Sequence, residues 1–196
     1  QQMALLTAFV FINCVLDLPL SLYQTFVLEQ RFGFNKMNLR LWLIDLLKSS
    51  LVGALIGLPL AALILWMMAV SGQAWWLWSW CIWMGFNLIL LVIYPTLIAP
   101  LFNKFTPLED ETLKTRVNAL MQRCGFSAKS LFVMDGSLRS SHANAYFTGF
   151  GAAKRVVFYD TLLSRLSASE VDAVLAHELG HFKHRHVLKR IVSMFA

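Results

Sequence analysis

The chain has 196 residues, 58% of them hydrophobic and 14% charged, with a formal net charge of +6. Ordinary soluble domains carry about 25% charged residues, so the composition excludes a wholly water-soluble domain and predicts a membrane protein in at least the first half. The cationic side chains are scattered rather than striped, which implies no nucleic-acid partner.

The first predicted element is an apolar span over Met3–Leu28, beyond the roughly 20 residues that cross a bilayer. Asp17 and Pro19 interrupt it. An acid at membrane depth is commonly functional; the plainer reading is a bend at Pro19, with Asp17 facing a protein cavity or a basic neighbour. The segment starts at Gln1 without a basic leader and does not read as a signal peptide. A basic loop over 29–48 follows, with Arg31, Lys36, Arg40 and Lys48. From Ser49 to Asn103 there is no Asp, Glu, Lys or Arg. That stretch predicts spans at Leu51–Val70 and Trp75–Ala99, joined by a turn at Ser71-Gly72-Gln73-Ala74. Trp75, Trp76, Trp78, Trp80 and Trp83 crowd the uncharged end of the later span, where indole rings favour the headgroup boundary. Basic residues flank the three spans on one side, Arg31 to Lys48 and then Lys104 onward, so the positive-inside rule makes that side cytoplasmic. Cys14, Cys81 and Cys124 lack metal or redox spacing, and no disulfide framework is expected.

Two regions result: 1–103, a transmembrane helical region, and 104–196, a small catalytic segment with a further span beginning near 187. In the second region Thr106-Pro107-Leu108-Glu109 predicts a helix start, with a capping Thr and an early Pro, running to Cys124 and stopping at Gly125. Leu131–Met134, Ala143–Thr148 and Arg155–Tyr159 read as strands, the last two joined through Gly149–Ala153. The fold class is mainly α: a multi-span transmembrane helical protein with a small α+β, zincin-like catalytic segment. In such sites an edge strand lies beside the metal and takes the substrate as an added strand. Ala143-Asn144-Ala145-Tyr146 is the candidate edge. Asn144 either holds substrate backbone there or is a turn residue ahead of the strand.

Ser167-Ala168-Ser169-Glu170 is a capping box before the periodic apolar residues Val171, Val174, Leu175 and Leu179, which predicts a helix from about Ala168 to at least His186. Within it, His177-Glu178-Leu179-Gly180-His181 reads H-E-x-x-H. Residues four apart lie on one helix face, so both imidazoles can hold one zinc ion, and Glu178 can take a proton from a water that the metal acidifies. Ala173, Val174, Leu175, Ala176 and Leu179 are expected to bury the helix on more than one side, and a metal is the simplest partner for buried histidines. The pattern predicts a zinc metalloendopeptidase with His177 and His181 as ligands and Glu178 as the catalytic base. His184 and Val187 stand where a metzincin needs Gly and His, which excludes that class. No Asp or Glu follows Glu178. Upstream, Asp135, His142 and Asp160 are third-ligand candidates, while Glu170 and Asp172 lie too far back on the same helix. His184 falls on the ligand stripe in poor tetrahedral geometry. The expectation is that the third zinc ligand is absent from this chain. The rival readings are an inactive membrane scaffold that retains the motif, a zinc-binding regulatory module, and a transporter. The last would require several charges within the spans, and only Asp17 qualifies.

Ser140-Ser141-His142-Ala143-Asn144-Ala145-Tyr146-Phe147, followed by Gly149-Phe150, resembles a signature of the type I CaaX prenyl endopeptidases. Arg155–Leu163, Ala176–His181, His186, Leu20–Tyr23, Phe32–Asn35 and Ile98–Asn103 are similar to further segments of that family. The heat-shock-type membrane metalloproteases share H-E-x-x-H but usually read N-A-F-A-T-G at the strand, which leaves them the alternative. The resemblance implies a multi-helix membrane protein around an internal chamber, with zinc held by two histidines and a downstream glutamate. It implies a polypeptide substrate, prenylated in a eukaryote or membrane-derived in a bacterium. It implies residence in the bilayer of the endoplasmic reticulum or the bacterial inner membrane. By the same resemblance His177 and His181 are ligands, Glu178 the general base, and Asn144 lies near the substrate strand.

Overall fold

A computed structural model describes residues 1–126, 130–148, 155–184, 189, 192 and 193. The chain divides into two compact units, Gln1–Leu91 and Val92–Ala196. Among the described residues three helical stretches are long and apolar enough to cross a membrane: Gln2–Glu29, Leu39–Val70 and Gly72–Phe102. At about 1.5 Å per residue the last reaches roughly 46 Å, against a hydrocarbon core of about 30 Å. Its ends therefore emerge from the apolar layer.

Helix α1 (Gln2–Tyr23) runs unbroken through Pro19 and passes into a π-turn at Gln24–Glu29. The connection to α2 (Leu39–Val70) is shorter than the expected loop. The Glu29 carbonyl accepts from the N–H groups of Phe34, at 2.9 Å, and Asn35, at 3.3 Å, around Gly33 at φ +74°. The Asn38 side chain then accepts from Leu41 N–H at 2.8 Å and caps α2. The cap moves Arg40 and Lys48 from the expected loop onto the helix. Phe26 packs edge-on to Trp42 at 6.4 Å. Trp42 is the buried apolar side chain of this unit among the described residues, while Leu5 is 73% and Leu55 77% exposed. Helices with so little interior of their own keep their apolar surface only in a lipid or protein environment.

Helix α3 (Trp75–Ile93) continues through a π-turn at Tyr94–Ile98 into α4 (Ala99–Phe102). Pro95 has no N–H to donate, and a widened turn accommodates that loss. Four strands follow: β1 (Phe105–Pro107), β2 (Ser130–Met134), β3 (Ala145–Thr148) and β4 (Arg155–Tyr159), in the spatial order β1-β2-β4-β3. β2 and β4 are parallel, and each pairs antiparallel with an edge strand. Helix α5 (Glu111–Arg123) starts at the Asp110 cap, whose Oδ1 accepts from Leu113 N–H at 3.0 Å. The expected start at Thr106 is thus corrected. Phe105-Thr106-Pro107 pairs with β2 instead, and Leu108 N–H donates to the Leu131 carbonyl at 3.0 Å. The final helices are α6 (Asp160–Arg165), which the sequence did not suggest, and α7 (Ala168–Lys183). The Gly149–Ala153 connection, His186 and the span expected near 187 lie outside the described residues.

The strand registers sort the sheet into two faces. Leu131, Val133, Val156, Phe158, Ala145 and Phe147 pack toward α5 and α7. From α5 come Leu113, Val117 and Met121, and from α7 come Val171, Leu175 and Leu179, all at helical spacing. Each fully buried Leu, Val or Phe contributes about 1.5–3 kcal/mol. Arg116 Nη2 meets Asp172 Oδ2 at 2.6 Å across α5 and α7, but both are about a third or more exposed, so that pair adds little.

The other face carries Tyr146 edge-on to Tyr159 at 6.2 Å. Gly136 lies against the Tyr159 ring: a Cβ there would stand 2.6 Å from Cδ2. We expect Gly136→Ala to lower stability by about 1–3 kcal/mol, read as a lower unfolding midpoint. Burial, reinforced by Tyr159 and Tyr94, pushes the Tyr146 hydroxyl from 10.0 up to about 12. The folded chain then holds a proton that the unfolded chain has already released. That contribution to stability is intact below about pH 10 and is lost as pH rises to about 12. Tyr146→Phe should flatten this alkaline slope in midpoint-against-pH curves, leaving that of Tyr159, which burial also raises.

Candidate metal centre

Helix α7 is fixed at its start. The Ser167 hydroxyl and backbone N–H donate to Glu170 Oε2 at 2.6 and 2.7 Å. These bonds hold the Glu170 carboxyl below its ordinary range. One stripe, Val171, Leu175 and Leu179, then turns inward to the sheet. At about 100° per residue, His177 and His181 fall on the opposite side of the helix from that stripe. Both histidines are exposed, as are Ala173 and Ala176, while Glu178 is half-buried at the border. The expectation that the helix is covered on more than one side is therefore corrected. Small alanines beside the histidines contribute no apolar bulk, and the larger Val and Leu side chains decide which way the helix faces.

The imidazoles stand one turn apart, with ring centres 4.8 Å apart and planes at 76°. Their Nε2 atoms are 3.1 Å apart. Two nitrogens at about 2.0–2.1 Å from one tetrahedral zinc are separated by roughly 3.3 Å. The pair therefore fits a single metal ion with a shift of a few tenths of an ångström. Glu178, about 100° round the helix from His177, offers a carboxylate at the edge of the same surface.

No group of three His, Cys, Asp or Glu side chains comes together among the described residues. The upstream acids are engaged elsewhere. Asp135 Oδ1 accepts from Lys104 N–H at 2.7 Å, and Asp172 pairs with Arg116. Asp160 Oδ1 accepts from the N–H groups of Ser137, at 2.9 Å, and Thr161, at 2.8 Å, and its Oδ2 accepts from the Ser137 hydroxyl. The His142 carbonyl accepts from the Thr161 hydroxyl at 2.7 Å. His184 continues the helix through a backbone bond to the Gly180 carbonyl at 3.0 Å.

Asn144 lies one residue before β3 rather than within it. Its Oδ1 accepts from Ala145 N–H at 2.9 Å and its carbonyl from Tyr159 N–H at 3.0 Å. The Asn144 side chain is exposed, and its Nδ2 makes no hydrogen bond among the described residues. β3 is an edge of the sheet, and α7 packs against it. Sequence reasoning missed the Asp160–Thr161 clasp, which ties the Ser140–Asn144 loop to the start of α6. The available signal was an Asp–Thr pair directly after a strand, which favours a helix start as much as a turn.

A family model described as the CAAX prenyl protease N-terminal region, with five membrane helices, matches residues 1–104. A model of peptidase family M48 matches residues 107–196. The CAAX prenyl protease 1 homolog of Arabidopsis thaliana is 42% identical over 181 residues, which cover 92% of this chain and 43% of that protein. CAAX prenyl protease 1 of Saccharomyces cerevisiae is 42% identical over 194 residues, covering 98% of this chain and 43% of the relative. The crystal structure of S. mikatae Ste24p superposes with a TM-score of 0.94 at 40% identity, covering 100% of this chain and 46% of that one. The chain thus spans less than half the length of these relatives.

Proposed function

The chain belongs to the CAAX prenyl protease family of M48 peptidases, and from that premise we propose that it carries the water-activating part of a membrane-embedded zinc metalloendopeptidase. His177 and His181 hold the zinc through their Nε2 atoms. The 3.1 Å separation of those atoms is the observation that supports this most directly. Zinc in such a site supplies Lewis acidity, polarising a carbonyl and bringing the pKa of a water down to about 7. Glu178 takes the proton from that water and returns it to the departing amine. The open edge of β3 pairs with the substrate as an added strand, and Asn144 Nδ2 donates to a carbonyl of that strand.

The substrate we propose is a polypeptide ending in a prenylated CaaX sequence, as the names of the relatives suggest for them. The membrane helices and the family make this an integral membrane protein. The catalytic segment lies on the cytoplasmic side, a reading supported under the positive-inside rule by the basic residues that follow the first and third spans in the sequence, Arg31, Lys36 and Lys104.

The test uses the full-length protein that carries this chain, reconstituted in liposomes with a prenylated CaaX-ended peptide. Glu178→Gln should lower the cleavage rate by about 10²–10⁴-fold with zinc content unchanged. Cleavage by the variant at the native rate would remove Glu178 from the mechanism. An unprenylated peptide cut equally fast would remove the substrate assignment and favour a quality-control protease.

A further inference from the structure

The sheet face opposite the histidine pair has its own cleft. It occupies about 280 Å³ where the end of the Gly72–Phe102 helix meets β2, β3 and β4. Its floor is apolar, built from Phe132 and Val157 beside the Tyr146 ring. Its polar wall is cationic. Lys104 and Arg155 line it beside Asn103 and Thr148, and no carboxylate does among the described residues. Neither cation has an acidic partner among the described residues. Asp135 reaches the backbone N–H of Lys104 instead. The Arg155 guanidinium lies 5.6 Å from the centre of the Phe132 ring. A ring contact at that range holds the guanidinium plane while leaving its N–H fork free to face an anion.

The position along the chain identifies the anion. Lys104 follows the last helical residue of a membrane span by two positions. Cationic side chains at such a point meet the headgroup layer. Leu97 and Leu101, four residues apart on the same helix end, are 63% and 51% exposed, a track of apolar surface on the helix that ends at the cleft. The volume is at the small end of ligand clefts, which run from about 300 to 1,000 Å³. That suits a headgroup, with its acyl chains lying outside along the helix. A free anion would use the two cations but not the leucine track. A zwitterionic lipid would bring its own cation against Lys104.

We propose that this cleft is a binding site for the phosphate headgroup of an anionic phospholipid, held by Arg155 and Lys104 at the foot of the Gly72–Phe102 helix. Arg155 forks two N–H groups onto the phosphate oxygens, and Lys104 adds a point charge from the rim. The site is separate from the metal pair and stands whether or not the peptidase reading does.

The test takes the full-length protein that carries this chain in detergent micelles. Dioleoyl phosphatidylglycerol or dioleoyl phosphatidylcholine is titrated in, and bound lipid is counted by native mass spectrometry. The native protein should retain phosphatidylglycerol in preference to phosphatidylcholine. Lys104→Gln together with Arg155→Gln should lower phosphatidylglycerol retention roughly thirtyfold, on the order of fivefold per cation, without changing phosphatidylcholine retention. Lys104 is exposed, so Lys104→Glu alone carries the test should the double variant fail to fold, and Arg155→Lys, which keeps the charge but loses the fork, should retain more phosphatidylglycerol than Arg155→Gln. Equal retention of phosphatidylglycerol by native and Lys104→Glu proteins would overturn the proposal. So would equal retention of the two lipids by the native protein, or displacement of the lipid by millimolar inorganic phosphate, which would mark a free-phosphate site.

Discussion

The arrangement rests on the burial of one stripe of α7. Val171, Leu175 and Leu179 sit within 2% of full burial against the sheet and α5. Their spacing leaves the helix no other rotation, because turning it would expose three large side chains. That rotation sends His177 and His181 outward as an edge-on pair. The outward pairing of the two histidines is therefore a by-product of core packing.

The sheet separates two kinds of work. One face supplies the hydrophobic layer that seats α5 and α7. The other carries aromatic rings and two cations next to the end of a membrane helix. The parallel pairing of β2 with β4 requires a long crossover. The chain uses it for the loop that Asp160 and Thr161 pin down and for the edge strand β3. Asn144 anchors the end of this loop: its side chain accepts from Ala145 N–H, and its carbonyl ties the loop to β4.

Much of this was readable from the residues. The uncharged stretch after Lys48 marked two spans, and the short run of Val156, Val157 and Phe158 marked β4 with its bounds at Arg155 and Tyr159. The capping box before α7 marked its start, and the four-residue spacing of the histidines was enough to foresee a paired surface. What could not be read was the outcome of local competitions. Thr106 and Asp110 both make good helix caps, and the decision came from β2, which captured Phe105–Pro107 as an edge strand. Asn38 capped α2 ahead of two basic residues that sequence alone assigned to a loop. The burial of α7 was overstated because alanines count as apolar in a periodic pattern without demanding cover. Asn144 stands just outside β3, where its short side chain accepts from the next N–H, a local bond that the sequence pattern does not reveal.

The central claim is that His177 and His181 share one zinc ion. Zinc-edge X-ray absorption on the full-length protein that carries this chain, compared with the His177→Ala and His181→Ala variants, tests it most directly. The account predicts stoichiometric zinc with two imidazole nitrogens at about 2.0–2.1 Å, and loss of bound zinc in either variant. A native protein without zinc, or zinc with an unchanged imidazole shell in both variants, would contradict it.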